Sequence, residues 1–379
     1  MDARTRQALL ALACSVEPGA AGLGARIAEH GPEAVLLEHR AKVPTTAVPG
    51  RLEPEQVPGM LAEMARAGVR VVVQSDPEYP SQLMDLAEPP LALWVRGPLD
   101  VRAAALRSVA IVGSRASTAY GEGATTQIGS GLAESGWTVV SGGAFGIDAA
   151  AHRAALAVGG STIAVLACGI DQAYPRSHDA LFARIADTGA VVSELPPGSH
   201  PLKHRFLNRN RLIAALTRGT VVVEAARRSG ALATAARAQE LGRAVLAVPG
   251  PITSMASSGT NRLLHERSAR AACSAGEVIS LLTDPVPDGG PPGRPQPQML
   301  PGMTVPEPRD GQAGAPPSQP ALSEAPARVL STLPRRGGIS VEQVAARAHL
   351  APVACLAHLG VLELGGLVRR TEDGWRRCG

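Results

Sequence analysis

The spacing of apolar residues changes character three times along this 379-residue chain. From the N-terminus to residue 68, apolar positions recur at helical intervals in Thr5–Cys14, Leu23–His30 and Gln56–Ala67, joined by Gly- and Pro-rich turns such as Glu17-Pro18-Gly19. From residue 69 the pattern becomes short, near-continuous apolar runs separated by helical stretches. Val69–Val73 opens this region, and Tyr79-Pro80 through Pro89-Pro90, Leu93 and Gly97 reads as a lead-in that packs against a sheet. The runs Val109–Val112, Thr138–Val140, Ser161–Ala167, Ala190–Ser193, Thr220–Val223 and Ala244–Val248 then alternate with helices. Strands buried on both faces look like this, and strict β–α alternation predicts a doubly wound, mostly parallel α/β sheet with ligands at the carboxyl ends of its strands.

After Leu282 the periodicity disappears. Residues 284–326 hold thirteen of the thirty-two prolines, which reads as an extended linker over 284–320. A compact tail follows over 321–379. It has helices at Leu322–Thr332, after the capping box Ser340-Val341-Glu342-Gln343, and at Pro352–Leu364, stopped by Gly365-Gly366. Leu367–Arg370 and Trp375–Arg377 then flank Glu372-Asp373-Gly374 as a hairpin. Three helices and a hairpin are the order of a winged helix. The expected organisation is a helical domain at 1–68, the α/β domain at 69–283, the linker and the winged helix.

Composition narrows the function. The chain is 45% hydrophobic but has only three Phe, three Tyr and three Trp, so its cores are aliphatic and each aromatic is informative. Five scattered cysteines without C-x-x-C spacing fit a reducing cytoplasm and no metal site or disulfide framework. Arg4 and Arg6 before Ala8–Cys14 suit an amphipathic helix better than a leader. The uncharged run Ala154–Ile170 is broken by Gly159-Gly160, so no membrane span is expected. The net charge of +4 is mild evidence for a polyanionic partner.

Small-residue turns follow two strands, Gly113-Ser114-Arg115 and Gly142-Gly143-Ala144, where backbone N–H groups can approach an anion at a helix start. Neither has dinucleotide-fingerprint spacing, and no Walker loop or nucleophile–base order is visible. Between Glu194 and Glu224 there is no acid, yet Lys203, Arg205, Arg209, Arg211 and Arg218 fall inside, with Phe206 among the first four. Cations that follow phosphates beside an aromatic face that stacks a base are how single-stranded nucleic acid is held. A solvated basic loop with Phe206 in the core is the bland reading. Asn208 and Asn210 suit either backbone contacts or capping of a helix Arg211–Leu216. Asp148 and His152 share a helix face as an acid–base pair or, more simply, Asp148 caps its helix. Glu224 reads as a carboxylate holding backbone N–H groups. The Gly19–Gly24 hairpin could touch a DNA backbone, although glycine-turned helical bundles are commoner.

Taken in order, Gly113-Ser114-Arg115, Ser141–Asp148, Cys168-Gly169-Ile170-Asp171 with Tyr174-Pro175, Phe206–Arg211, Val223-Glu224-Ala225, Ser229–Ala235, Val248-Pro249-Gly250 and Gly259-Thr260-Asn261 resemble the DNA-processing protein A family, DprA or Smf. The resemblance covers about residues 70–283. It implies an extended Rossmann-like domain that binds single-stranded DNA and loads the recombinase RecA during DNA uptake, as a homodimer, without catalysis or cofactor. The positions carried over are Gly113, Ser114, Arg115, Lys203, Phe206, Asn208, Arg209, Asn210 and Arg211, beside Arg205 of the same basic cluster. Phe145 stands where the family often has Lys or Arg, and Leu207 where proline is usual after the Phe. The alternative is a nucleotide-binding sensor or nucleoside-monophosphate hydrolase of a related fold, against which stands the missing P-G-G-x-G-T loop. A double-stranded DNA regulator is a poorer third reading, since Pro352–Leu364 offers few base-reading side chains.

Overall fold

A computed structural model describes residues 1–42, 53–283, 324–334, 337–364, 367–371 and 374–378, and the chain divides into two compact units, Met1–Pro292 and Gly293–Gly379. The linker expected over 284–320, the stop at Gly365-Gly366 and the tip residues Glu372-Asp373 lie outside the described residues.

In the first unit, helices α1 (Ala3–Ser15), α2 (Leu23–Lys42) and α3 (Val57–Arg66) lead into β1 (Val69–Val73) and β2 (Ala92–Arg96). There follow α4 (Val101–Leu106), β3 (Ser108–Val112), α5 (Ala119–Glu134), β4 (Thr138–Ser141), α6 (Ile147–Ala157) and β5 (Thr162–Val165). Then come α7 (Asp179–Thr188), β6 (Ala190–Ser193), α8 (Lys203–Leu216), β7 (Gly219–Val222), α9 (Gly230–Glu240), β8 (Ala244–Ala247), α10 (Ser258–His265), β9 (Arg270–Ala271) and α11 (Ala275–Thr283). The sheet order is β1-β2-β6-β5-β4-β3-β7-β8-β9. From β6 to β9 neighbours pair in parallel, while β2 lies antiparallel between β1 and β6. The expected doubly wound sheet is therefore present, with an antiparallel lead-in at one edge. Strand order reverses at β3, flanked by β4 and β7, so the crevice that doubly wound sheets offer to ligands opens at the carboxyl ends of these strands.

The continuous apolar runs have the expected cause. Every residue of β3, β4, β5, β6 and β7 is buried, because helices cover both faces. The N-terminal helices share a core with the sheet: Leu9, Leu10 and Leu12 of α1 pack in one buried cluster with Trp94 of β2, Leu166 and Phe182. Residues 1–68 are helical as expected but join the α/β core. The Gly19–Gly24 hairpin, the less favoured candidate for a DNA-backbone contact, is also spoken for. The N–H groups of Gly22 and Gly24 both donate to the Glu88 carboxylate, the latter at 3.1 Å, so the anion in that turn is the chain's own.

The second unit contains α12 (Glu324–Thr332), α13 (Val341–Ala348), α14 (Pro352–Leu364) and the antiparallel hairpin β10 (Val368–Thr371)–β11 (Gly374–Arg377). Ser340 and Gln343 form the reciprocal capping box that opens α13. Val329, Val344, Leu359 and Trp375 centre a core of its own. Because each unit buries its own apolar residues, truncation after Thr283 is expected to leave a soluble first unit with an unchanged melting temperature, checked by thermal unfolding of both chains. An insoluble or molten product would place the boundary elsewhere.

Candidate nucleic-acid interface

A cavity of about 690 Å³ lies at the strand-order reversal. The β3–α5 turn (Gly113, Ser114, Arg115), the start of α6 (Asp148), Tyr174 after β5, the face of α8 and the β7–α9 turn (Ser229, Gly230) line it. Packing alone already requires Gly113: a Cβ there would meet Ile147 at 2.5 Å. The Glu224 carboxylate accepts from Thr118 N–H at 2.9 Å and from its hydroxyl at 2.6 Å, tying β7 to the start of α5 across the crevice. It holds one backbone N–H and one hydroxyl where several backbone N–H groups were expected.

The basic cluster is not a loop. Helix α8 begins at Lys203, two turns earlier than expected, so Asn208 and Asn210 lie inside it and cap nothing. Helical geometry then sorts the cluster. Lys203, Phe206, Leu207, Asn210 and Ile213 follow i, i+3, i+4, i+7, i+10 spacing and line the cavity together. Arg205, Asn208 and Arg211 point elsewhere. Arg205 is bound to Glu17, the Asn208 amide donates to Pro18 O at 3.1 Å, and Arg211 makes two bonds to the Glu194 carboxylate at 2.5 and 2.6 Å and one to Glu88 O at 2.8 Å. These three candidates clamp α8 to the lead-in and to the turn after α1. The expectation of uncompensated charge is corrected here, because acids distant in sequence neutralise two of the five cations.

Arg209 departs further from expectation. It is buried, donates to Val165 O and lies in the field of Asp148. Gly142 makes this possible, since a Cβ there would fall 2.0 Å from the guanidinium. That glycine makes room for an arginine rather than for a phosphate. Burial pushes the Asp148 carboxyl up from its ordinary range, and the Arg209 charge opposes this. Asp148 also accepts weakly from Ala144 N–H at 3.4 Å, in the turn before α6 and not from the helix's own first N–H groups, so the expected cap is not formed. His152 does not work with Asp148. Its Nδ1–H donates to the Thr162 hydroxyl at 2.7 Å, which itself donates to Val139 O, and burial drives the ring pKa down to about 3, so it stays neutral.

What remains open to the cavity is a compact set. The Arg115 guanidinium lies over the Phe206 ring, 5.1 Å from its centroid, and Tyr174 packs tilted on the same ring at 5.5 Å. Phe206 is half-buried and belongs to the cavity wall, not to the hydrophobic core. Lys203 and Arg115 are exposed, and among the described residues neither forms an ion pair. Tyr174 escaped the sequence reading as a site residue. Its signal was position, since it is one of three tyrosines and follows β5 at the ligand edge of the sheet.

The family described as DNA recombination-mediator protein A matches residues 70–283, the span that carries the sheet and this cavity. The chain belongs to that family. A second match, to the DprA winged helix domain, covers residues 313–374, which take in α12 to β10 and the first residue of β11. A putative DNA processing protein DprA of Mycobacterium tuberculosis is 40% identical over 387 residues, covering 98% of this chain and 94% of its own. The DNA processing protein DprA of Streptococcus pneumoniae is 43% identical over 202 residues, 53% of this chain and 70% of that one. Among solved structures, DNA processing protein A of S. pneumoniae aligns with a TM-score of 0.57 at 36% identity, over 66% of this chain and 82% of that one. That of Helicobacter pylori, whose single-stranded DNA binding mode has been described, aligns at 0.51 and 30% identity over 56% and 95%. The family resemblance read from the motifs is borne out, and so is the winged helix. Both family departures, Phe145 and Leu207, are exposed side chains.

Proposed function

We propose that this chain binds single-stranded DNA at the carboxyl edge of its sheet and loads RecA onto it, acting in the cytoplasm as a homodimer without catalysis or nucleotide cofactor. The observation that carries the reading is Phe206, held between Arg115 and Tyr174 beside the unpaired Lys203 in a cavity of nucleotide size. An aromatic face for a base and cations for the flanking phosphates are the two elements of single-strand recognition. The H. pylori relative's single-strand binding supports the same ligand class here. Contacts come from Arg115 and Lys203, helped by the Gly113-Ser114 turn, with Asn210 and Arg209 in the wall.

Each phosphate contact on a single strand contributes a salt slope of about −0.7, so two or three contacts predict roughly tenfold weaker binding from 50 to 200 mM salt. Fluorescence anisotropy with single- and double-stranded oligonucleotides measures this, alongside assays of nucleoside-monophosphate hydrolysis and of RecA filament formation on the bound strand. Salt-independent binding, or release of free base, would falsify the reading.

A further inference from the structure

A second cavity, of about 540 Å³, meets the first at Arg115 and Ala116, which line both. Phe145, from the turn before α6, stands in its wall with half of its surface exposed (50%). The ring is held in place from one side. It meets His178 edge-on at 4.8 Å and 68°, and His178 is anchored by its own bond to Gly143 O at 3.0 Å and by packing on Phe182. Two guanidiniums, Arg115 and Arg153, face the same space, both exposed. The one carboxylate there, Glu122, accepts the Ser117 hydroxyl at 2.8 Å. The chain has three phenylalanines: Phe182 is buried, and the other two stand in the walls of these adjoining cavities.

We propose that Phe145 is a second base-stacking platform, so that a strand leaving the Phe206 cavity passes Arg115 and places its next accessible base on Phe145, with Arg153 on the phosphate. The inference rests on the single-strand reading of the first cavity. It assigns this chain's Phe145 a contact through the base where a Lys or Arg at the same position would make one through the phosphate. The two differ in salt dependence, because stacking releases no counterions.

The test uses the full chain with a long fluorescent oligo(dT). Phe145→Ala is expected to weaken binding about tenfold without changing the salt slope, the usual size of one lost base–aromatic contact. Phe145→Trp should restore affinity, and Phe145→Lys should bind with a slope steeper by about 0.7. Arg153→Ala should flatten the slope by a similar amount. Wild-type affinity in Phe145→Ala, while Phe206→Ala is impaired, overturns this inference and leaves the first cavity's role intact. A wild-type chain that fails to bind the oligonucleotide overturns both. Melting temperatures of the variants, with affinities referred to the folded fraction, separate lost stacking from lost fold.

Discussion

Replacing Arg209 by Ala is expected to destabilise the first unit by about 3–5 kcal/mol, the usual cost of leaving a buried charge without its partner. The guanidinium fills the space that Gly142 leaves open, bonds to Val165 O and faces Asp148 inside the sheet edge. Without it, burial raises the Asp148 carboxyl further, opposed only by hydrogen bonds from Ala144, Ser141 and Gly142. The folded variant then holds that proton to higher pH than the unfolded chain does, whose carboxyl releases it near pH 4. The unfolded state binds fewer protons, so stability falls as pH rises, by at most about 1.4 kcal/mol per unit. The deficit against wild type should therefore be smaller at pH 5 than at pH 8. Urea unfolding at the two values measures it, and an unchanged midpoint at both would show that Arg209 is not holding the sheet edge. Loss of DNA binding in this variant reports folding first, which makes Arg209 a poor probe of phosphate contact.

Removing the Phe206 ring is the largest effect expected on binding itself. A base–aromatic stack is worth about 1–3 kcal/mol, so Phe206→Ala should weaken single-strand affinity by roughly one to two orders of magnitude with the salt slope nearly unchanged. Phe206→Tyr should keep most of it. Arg115→Ala should instead weaken binding and flatten the slope, because its charge meets phosphate. The two changes are coupled, since Arg115 lies over the Phe206 ring at 5.1 Å and loses its platform when the ring goes. The double variant should accordingly cost less than the sum of the singles. Anisotropy titrations at several salt concentrations, with melting temperatures on the same samples, decide between stacking and support. A Phe206→Ala variant of lowered melting temperature whose folded fraction binds normally would end the stacking account.

Much of this protein could be read from the order of its residues. Runs such as Ser108–Val112 and Thr220–Val223 have no polar face, and a strand without one must be covered on both sides; repeated with intervening helices, they leave little choice but a doubly wound sheet. Turn and cap signals are equally local. Ser340 and Gln343 close on each other three residues apart, and Gly113-Ser114 ends a strand beside a helix start. Family membership rests on the same kind of information, short motifs in a fixed order over residues 70–283.

The division of labour within the basic cluster was not local. Lys203 through Arg211 read as one patch because composition ignores which way a side chain faces, and because the span between Glu194 and Glu224 contains no acid. Folding α8 as a helix turns Lys203 and Phe206 to the cavity and Arg205, Asn208 and Arg211 away from it. Glu17 then reaches Arg205 across 188 positions, and Glu194 pairs with Arg211 from the strand edge. The sequence by itself determined the sheet, the turns and the kind of residues gathered at its edge, since strand and helix signals act over a few neighbours. Only the tertiary structure decided which cations stay free for a ligand, since ion pairing and burial depend on groups that meet in space after long excursions of the chain.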